Sequence, residues 1–216
     1  QSDQEKIYYL TGEDHRAIAQ SPLLETFRKR GLEVLLLDQP VDEWVVNSLD
    51  KFGEKSLQAI DAADLELEDD EVKIEGADEE GKAERIDLIA FLKKELSNRV
   101  SDVIESKRLS DSPCVLVTAQ GGVSQNMERL MKMADRDFSG SKRVLEVNPR
   151  HPIIQNLALR FKQERTAKDL KDWAHMLVDY VLLGEGKVED PQRMTRILQL
   201  MMQKTIESSL DEIENE

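Results

Sequence analysis

Leu170-Lys171-Asp172-Trp173-Ala174-His175-Met176-Leu177-Val178-Asp179-Tyr180-Val181-Leu182-Leu183-Gly184 is the stretch whose reading decides the fold. Leu170, Trp173, Ala174, Leu177, Val178, Val181 and Leu182 recur at i, i+3, i+4, i+7, i+8, i+11 and i+12, the spacing that lines one face of an α-helix. Gly184 and Gly186 close that helix. Asp190-Pro191 then opens another in the order of cap and first-turn proline. The second helix carries Met194, Ile197, Leu198 and Met201 on one stripe, which Leu200 and Met202 widen beyond what one packing neighbour would cover. A helical hairpin with apolar surface to spare needs a further partner. Pairing of two copies into a four-helix bundle is the simplest solution, although pattern alone also allows the same chain to cover both faces.

Outward from the hairpin, the pattern mixes strands and helices. Ile7-Tyr8-Tyr9-Leu10 reads as a strand. Ser21-Pro22 starts a helix that Gly31 stops, and Glu33-Val34-Leu35-Leu36-Leu37 suits a buried strand. Asp42 starts a helix through Trp44, Val45 and Leu49. This makes a small α/β unit. Further on, Ile86, Ile89, Ala90 and Leu96 mark an amphipathic helix. Arg99 to Glu105 and Cys114 to Thr118 are strand-like, separated by a Ser/Asp/Pro turn. Gly121-Gly122 breaks the chain before a helical stretch, Val144 to Val147 is a short strand, and the pattern is helical from Pro152 almost to the end. The fold class expected is thus α/β followed by α+β: a small α/β unit over residues 1–82, then a mixed α+β domain over 83–216 that ends in the helical hairpin.

The 216 residues carry a formal charge of -14. Residues 61–80 hold eleven acids against the single base Lys73, so this segment alone accounts for -10. The acidity is therefore local, and the segment reads as a solvated, linker-like stretch between the two units. Nucleic acid is disfavoured as a partner, because the chain lacks the basic surface that displaces counterions from phosphates. No apolar run approaches the roughly 20 residues of a membrane span. One cysteine, Cys114, excludes an internal disulfide and fits a reducing compartment. The start at Gln1, with a strand almost at once, reads as a piece of a longer polypeptide.

Signatures of catalysis are scarce. Gly121-Gly122 is not followed by the Lys-Ser/Thr of a phosphate-binding loop, and no GxGxxG, HExxH or GxSxG occurs. His15, His151 and His175 lie far apart, without metal-ligand spacing. His151 stands at a helix start, where capping is its default role. His175 reads as a surface or interface residue, and Cys114, after Pro113 in a strand, as an inert buried thiol. The expectation is no catalytic residue, no metal and no cofactor within this chain. Six of the seven methionines fall in two groups, Met127, Met131, Met133 and Met194, Met201, Met202. Val123, Met127, Leu130, Met131 and Ala134 share helical spacing. Such a stripe is core on pattern alone, yet methionine's flexibility also suits a surface that repacks against varied partners. Trp44 has the same ambiguity.

These segments carry a family resemblance. Ile7-Tyr8-Tyr9-Leu10-Thr11-Gly12, Ser21-Pro22, Leu32-Glu33-Val34-Leu35 and Pro40-Val41-Asp42-Glu43 resemble the distal middle domain of the heat-shock protein 90 chaperones. Arg108-Leu109-Ser110-Asp111-Ser112-Pro113-Cys114, Asn126-Met127-Glu128-Arg129-Leu130-Met131-Lys132, Leu145-Glu146-Val147-Asn148-Pro149-Arg150-His151-Pro152 and Glu189-Asp190-Pro191-Gln192 resemble its C-terminal domain in order and spacing. The resemblance runs from Ile7 to about Ile206. It implies a homodimeric, ATP-dependent chaperone whose ATP and Mg site lies in a domain outside this chain. It further implies partly folded clients held at Glu43, Trp44 and Asn47 and at Met127, Leu130 and Met131. Dimerisation is expected through the terminal hairpin at Leu177, Val181, Met194, Ile197, Leu198 and Met201. The final Asp211-Glu212-Ile213-Glu214-Asn215-Glu216 lacks the Met-Glu-Glu-Val-Asp tail of eukaryotic cytosolic members and a Lys-Asp-Glu-Leu tail, so a bacterial, cytoplasmic member is the better fit. Two other readings remain open: a purely structural dimerisation module with the Met127 helix in its core, and a small α/β enzyme that uses a carboxylate or Cys114.

Overall fold

In the computed structural model, residues 4–65, 67, 79–135 and 140–214 are described. Most of the acidic run 61–80 lies outside them. The first unit comprises β1 (Lys6–Thr11), α1 (His15–Ala19), α2 (Glu25–Lys29), β2 (Val34–Leu37), α3 (Pro40–Ser48), β3 (Lys51–Phe52) and β4 (Lys55–Ala59). Its sheet runs β2-β1-β4-β3, with β1 parallel to both β2 and β4 and β3 antiparallel to β4. Alternation on β1 sends Tyr8 and Leu10 inward. There Tyr8 meets Phe27 of α2 edge to face, with ring centroids 4.9 Å apart. Ser21 caps the 3-10 turn Pro22–Leu24 by accepting from the Leu23 N–H, and Gly31 ends α2's run in the left-handed region at φ 66°.

Three details differ from the sequence reading. β2 is an edge strand, paired with β1 alone, and Leu35 is half exposed. The helix expected from Asp42 begins at Pro40; Asp42 is its third residue and accepts from the Gln39 N–H at 3.0 Å, as in a capping box. The β3–β4 hairpin, turning at Gly53 (φ 64°), was not anticipated, since Lys51, Lys55, Ser56 and Gln58 mask its alternation.

After residue 78 come α4 (Glu79–Glu95), β5 (Asp102–Glu105), β6 (Cys114–Val117), α5 (Gln125–Ala134), β7 (Val144–Val147), α6 (Pro152–Gln163), α7 (Lys168–Gly184) and α8 (Pro191–Glu214). β7 is the middle strand of a three-stranded sheet, parallel to β5 and antiparallel to β6. Every residue of β6 and β7 is buried, so both faces of this sheet are covered. Val103, Cys114, Leu116, Leu145 and Val147 pack against Leu88, Leu92 and Leu96 of α4 and the apolar faces of α6 and α7. On α4 the buried stripe is Leu88-Leu92-Leu96 and Ile86 is exposed, a rotation from the stripe expected, set by the position of α6 and α7.

The other face of the sheet, with Val115, Val117 and Val144, shares a core with Leu10, Leu23, Leu24, Phe27, Ile60, Leu65 and Leu67. The chain around residues 60–67 therefore packs onto the second sheet, and Ala62 forms a β-bridge with Thr118. The chain is a mixed α/β protein with two mixed sheets joined by one of their cores. The expected division at 82/83 falls within α4.

Candidate functional site

α3 and α5 lie against each other and carry the client-contact residues named from the resemblance. On α3 successive residues are turned about 100° apart, enough to put Glu43 on a covered face and Trp44 on an open one. Trp44 is 64% exposed, so the core assignment that pattern favours does not hold for it. Val41 and Val45, at i and i+4, are exposed beside it, as are Leu49 and Phe52 just beyond the helix. Glu43, by contrast, is 1% exposed. Its Oε2 accepts from the Ser124 hydroxyl at 2.8 Å. Asn47 is exposed, and its side-chain amide donates to the Glu43 backbone carbonyl.

α5 starts from the diglycine. Gly121 has φ 71°, a conformation that favours glycine, and Ser124 caps the helix by accepting from the Met127 N–H at 3.0 Å. The stripe expected as core on pattern is not core: Met127 and Leu130 are half-buried, Met131 and Met133 are exposed, and the one buried residue of this helix is the polar Asn126. The start of the helix is tied on three sides. Ser124 holds Glu43, the Gln125 amide donates to Glu185 just past α7, and Arg129 pairs with Glu13 before α1. Val41 and Ser124 were not singled out in the sequence, Val45 was read only as part of its helix, and Met133 only as one of a methionine group. The i, i+4 valines and the serine before a helical run were the available signals.

The terminal hairpin divides the residues assigned to dimerisation. Leu177 and Val181 are buried within the chain's own core, against the second sheet and α4, which leaves little of either for a second copy. Met194 is also buried, where α8 leaves α7. Ile197 and Met201 are half-buried, whereas Leu198, Leu200, Met202 and Ile206 are exposed along α8. The unmatched apolar surface thus belongs mainly to α8, and Tyr180 and Leu183 of α7 add to it.

Cys114 is buried, and burial pushes its thiol up to about 12. His151 caps α6 by accepting from the Ile153 N–H at 3.1 Å. His175 is held below the usual imidazole value, first by burial and then by Arg193 and Arg99, with Glu95 and Asp179 opposing. Among the described residues no three His, Cys, Asp or Glu side chains gather to hold a metal ion. No helix among them is long and apolar enough to cross a membrane.

The feature these residues form is a surface: apolar side chains exposed on two adjoining helices, presented by a mixed α/β scaffold. Comparison with known proteins agrees with the class this defines. The profile of the family described as Hsp90 protein matches residues 1–216, and the chain belongs to that family. Relatives there include several bacterial proteins. The Chaperone protein HtpG of Geobacter sulfurreducens is 43% identical over 202 residues, 92% of this chain and 31% of that protein. Those of Nitrosomonas eutropha and Roseobacter denitrificans are 40% and 42% identical over 94% of this chain. The chain spans about a third of the length of these curated relatives.

Proposed function

We propose that this chain is the client-binding and dimerising C-terminal part of an ATP-dependent bacterial chaperone, acting in the cytoplasm. ATP and Mg would be bound by a part of the parent protein outside these residues. The observation that carries the reading is the exposure of Trp44, at 64%, with Val41 and Val45 on one helix and of Met131 and Met133 on the helix beside it. Singly exposed apolar residues are ordinary, but several on each of two adjoining helices support an interaction surface. Methionines there adapt to different partners at low cost, which fits a protein that must hold many sequences weakly and release them. α8 supplies the second half of the reading. If it joins two copies, each copy's weak patch acts at the effective concentration set by the other.

The test is photo-crosslinking of reduced, carboxymethylated lactalbumin to the chain, with the contacted residues mapped. Crosslinks are expected at Trp44, Met131 and Met133, and Met131→Gln with Met133→Gln should weaken capture without loss of fold. A map that avoids both helices overturns the reading. Unfolding by the paired glutamines would instead favour a purely structural module with α5 as packing.

A further inference from the structure

Glu43 is among the residues the family resemblance assigns to client contact, yet it is 1% exposed. A carboxylate so enclosed cannot touch a client without the helix moving. We infer that Glu43 is a positioning residue: it holds Ser124, and through it the start of α5, so that the Met131–Met133 surface stands at a fixed offset from Trp44. The inference rests on the proposed client-binding reading of those two surfaces.

The geometry is a relay through one hydroxyl. Ser124 has a single proton to donate, and it goes to Glu43 Oε2 at 2.8 Å. With the rotor so fixed, a lone pair of the same oxygen meets the Met127 N–H at 3.0 Å and caps the helix. α3 thereby orients the cap of α5. Beyond Ser124 the chain runs back to Gly122 and Gly121, the latter in a left-handed turn. Without the bond from Glu43, the diglycine becomes the natural place for α5 to pivot.

Two further observations place the carboxylate in a role beyond packing. Its other oxygen, Oε1, is buried and meets no hydrogen-bond partner among the described residues. Nor does the buried Asn126 amide nitrogen, on the first turn of α5. A buried carboxylate bonded by side chains on one oxygen only is costly, so its presence asks for a reason other than stability. Burial, then Asp61 and then Glu43 push the Tyr9 phenol up to about 12, and burial with a smaller part from Glu43 raises Asp61 against its bond from Thr118 and the Arg108 charge. A junction built this way fixes the cap of α5 through one replaceable contact, beside the ties of Gln125 to Glu185 and Arg129 to Glu13. Trp44, adjacent in sequence but pointing outward, is the natural control, since its loss removes contact area and leaves the junction whole.

The experiment compares Glu43→Ala, Glu43→Gln, Ser124→Ala and Trp44→Ala in the full 216-residue chain, by amide hydrogen exchange over residues 123–134 and by capture of fluorescein-labelled, carboxymethylated lactalbumin. Glu43→Ala and Ser124→Ala are expected to speed exchange across α5 at least tenfold and to weaken capture together. Glu43→Gln, whose amide oxygen can still accept from Ser124, should retain most of both. Trp44→Ala should weaken capture with α5 exchange unchanged. Weaker capture in Glu43→Ala with unaltered α5 exchange overturns the inference and makes Glu43 a direct contact. If Glu43→Ala does not fold, Ser124→Ala decides the question by the same two readings. Should the unaltered chain capture nothing, the client-binding reading fails, while α5 exchange in the same variants still judges the junction.

Discussion

Arg108 Nη2 lies 2.7 Å from Glu146 Oε1, with both side chains almost wholly buried between the two sheets. Glu146 Oε2 also accepts from Arg108 Nε and from the Ser106 hydroxyl. The other guanidinium donors reach the backbone carbonyls of Ile60 and Ala62, at the end of the first unit. One ion pair thus joins the middle strand of the second sheet to the segment leaving the first. It explains how an acid can occupy β7, a strand buried on both faces.

Removing one partner should be severe. Glu146→Leu strands a guanidinium in a dry site and is expected to cost about 3–5 kcal/mol in urea unfolding. Arg108→Met with Glu146→Leu removes both charges and should cost clearly less than the two single changes added together. Additive losses would mean that the pair is not coupled.

Glu25 makes a second tie across the same junction. Its Oε2 accepts from the Ser110 and Asp111 N–H groups at 2.8 Å and from that of Ser112 at 3.2 Å, and its Oε1 from the Ser112 hydroxyl. Burial pushes this carboxyl up, but the bonds from Asp111, Ser112 and Ser110 together outweigh it and leave it below the ordinary 4.5. A depressed carboxyl contributes stability that is present above its unfolded value and is lost as pH falls through the folded one. Glu25→Gln should therefore cost about 1–2 kcal/mol at pH 7. The deficit should shrink below pH 4.5, measured as the urea midpoint against pH. A deficit that stays constant down to pH 3 would show that the charge contributes nothing.

Cys114 predicts the alkaline limb. Its thiol, raised to about 12 from 9.0, keeps in the folded chain a proton that the unfolded chain loses above pH 9. Stability should then fall with rising pH by up to about 1.4 kcal/mol per unit from this group. Cys114→Ala should remove that part of the slope between pH 9 and 11. The native thiol should also resist a disulfide reagent at pH 8 and react fully in urea. Rapid reaction in the folded chain would contradict its burial.

Leu198 tests the association proposed for α8. Being 42% exposed, it can become Glu with little loss of intramolecular packing. Light scattering should report a dimer for the unaltered chain and a monomer for Leu198→Glu. The thermal midpoint should rise with concentration only in the dimer. A monomeric unaltered chain would sink the proposal.

Much of the architecture was legible because local chemistry announced it. Ser21-Pro22, Ser124, His151-Pro152 and Asp190-Pro191 each start a helical turn where a cap precedes a run. β6 and β7 stood out as continuous apolar strands bounded by turn residues. The β3–β4 hairpin did not, because a short, half-exposed ribbon leaves no clear alternation. The candidate site was legible only in part. Trp44 and the Met127 helix could be located but not oriented, since the same spacing describes a buried and an exposed stripe.

By itself the sequence determined most helices and strands, though not the short α1, together with the terminal hairpin, the absence of familiar catalytic motifs and, through its ordered motifs, the family. Capping, periodicity and turn residues are local, and the chain carries them wherever it goes. Only the tertiary structure decided which face of each helix is covered: Leu177 and Val181 turned into the chain's own core, Leu198 and Leu200 left outward, Trp44 exposed and its neighbour Glu43 enclosed. Burial depends on what another part of the chain brings alongside, and two residues one position apart on a helix can meet opposite environments. That is why Glu43 and Trp44, neighbours in one motif, end up enclosed and exposed respectively.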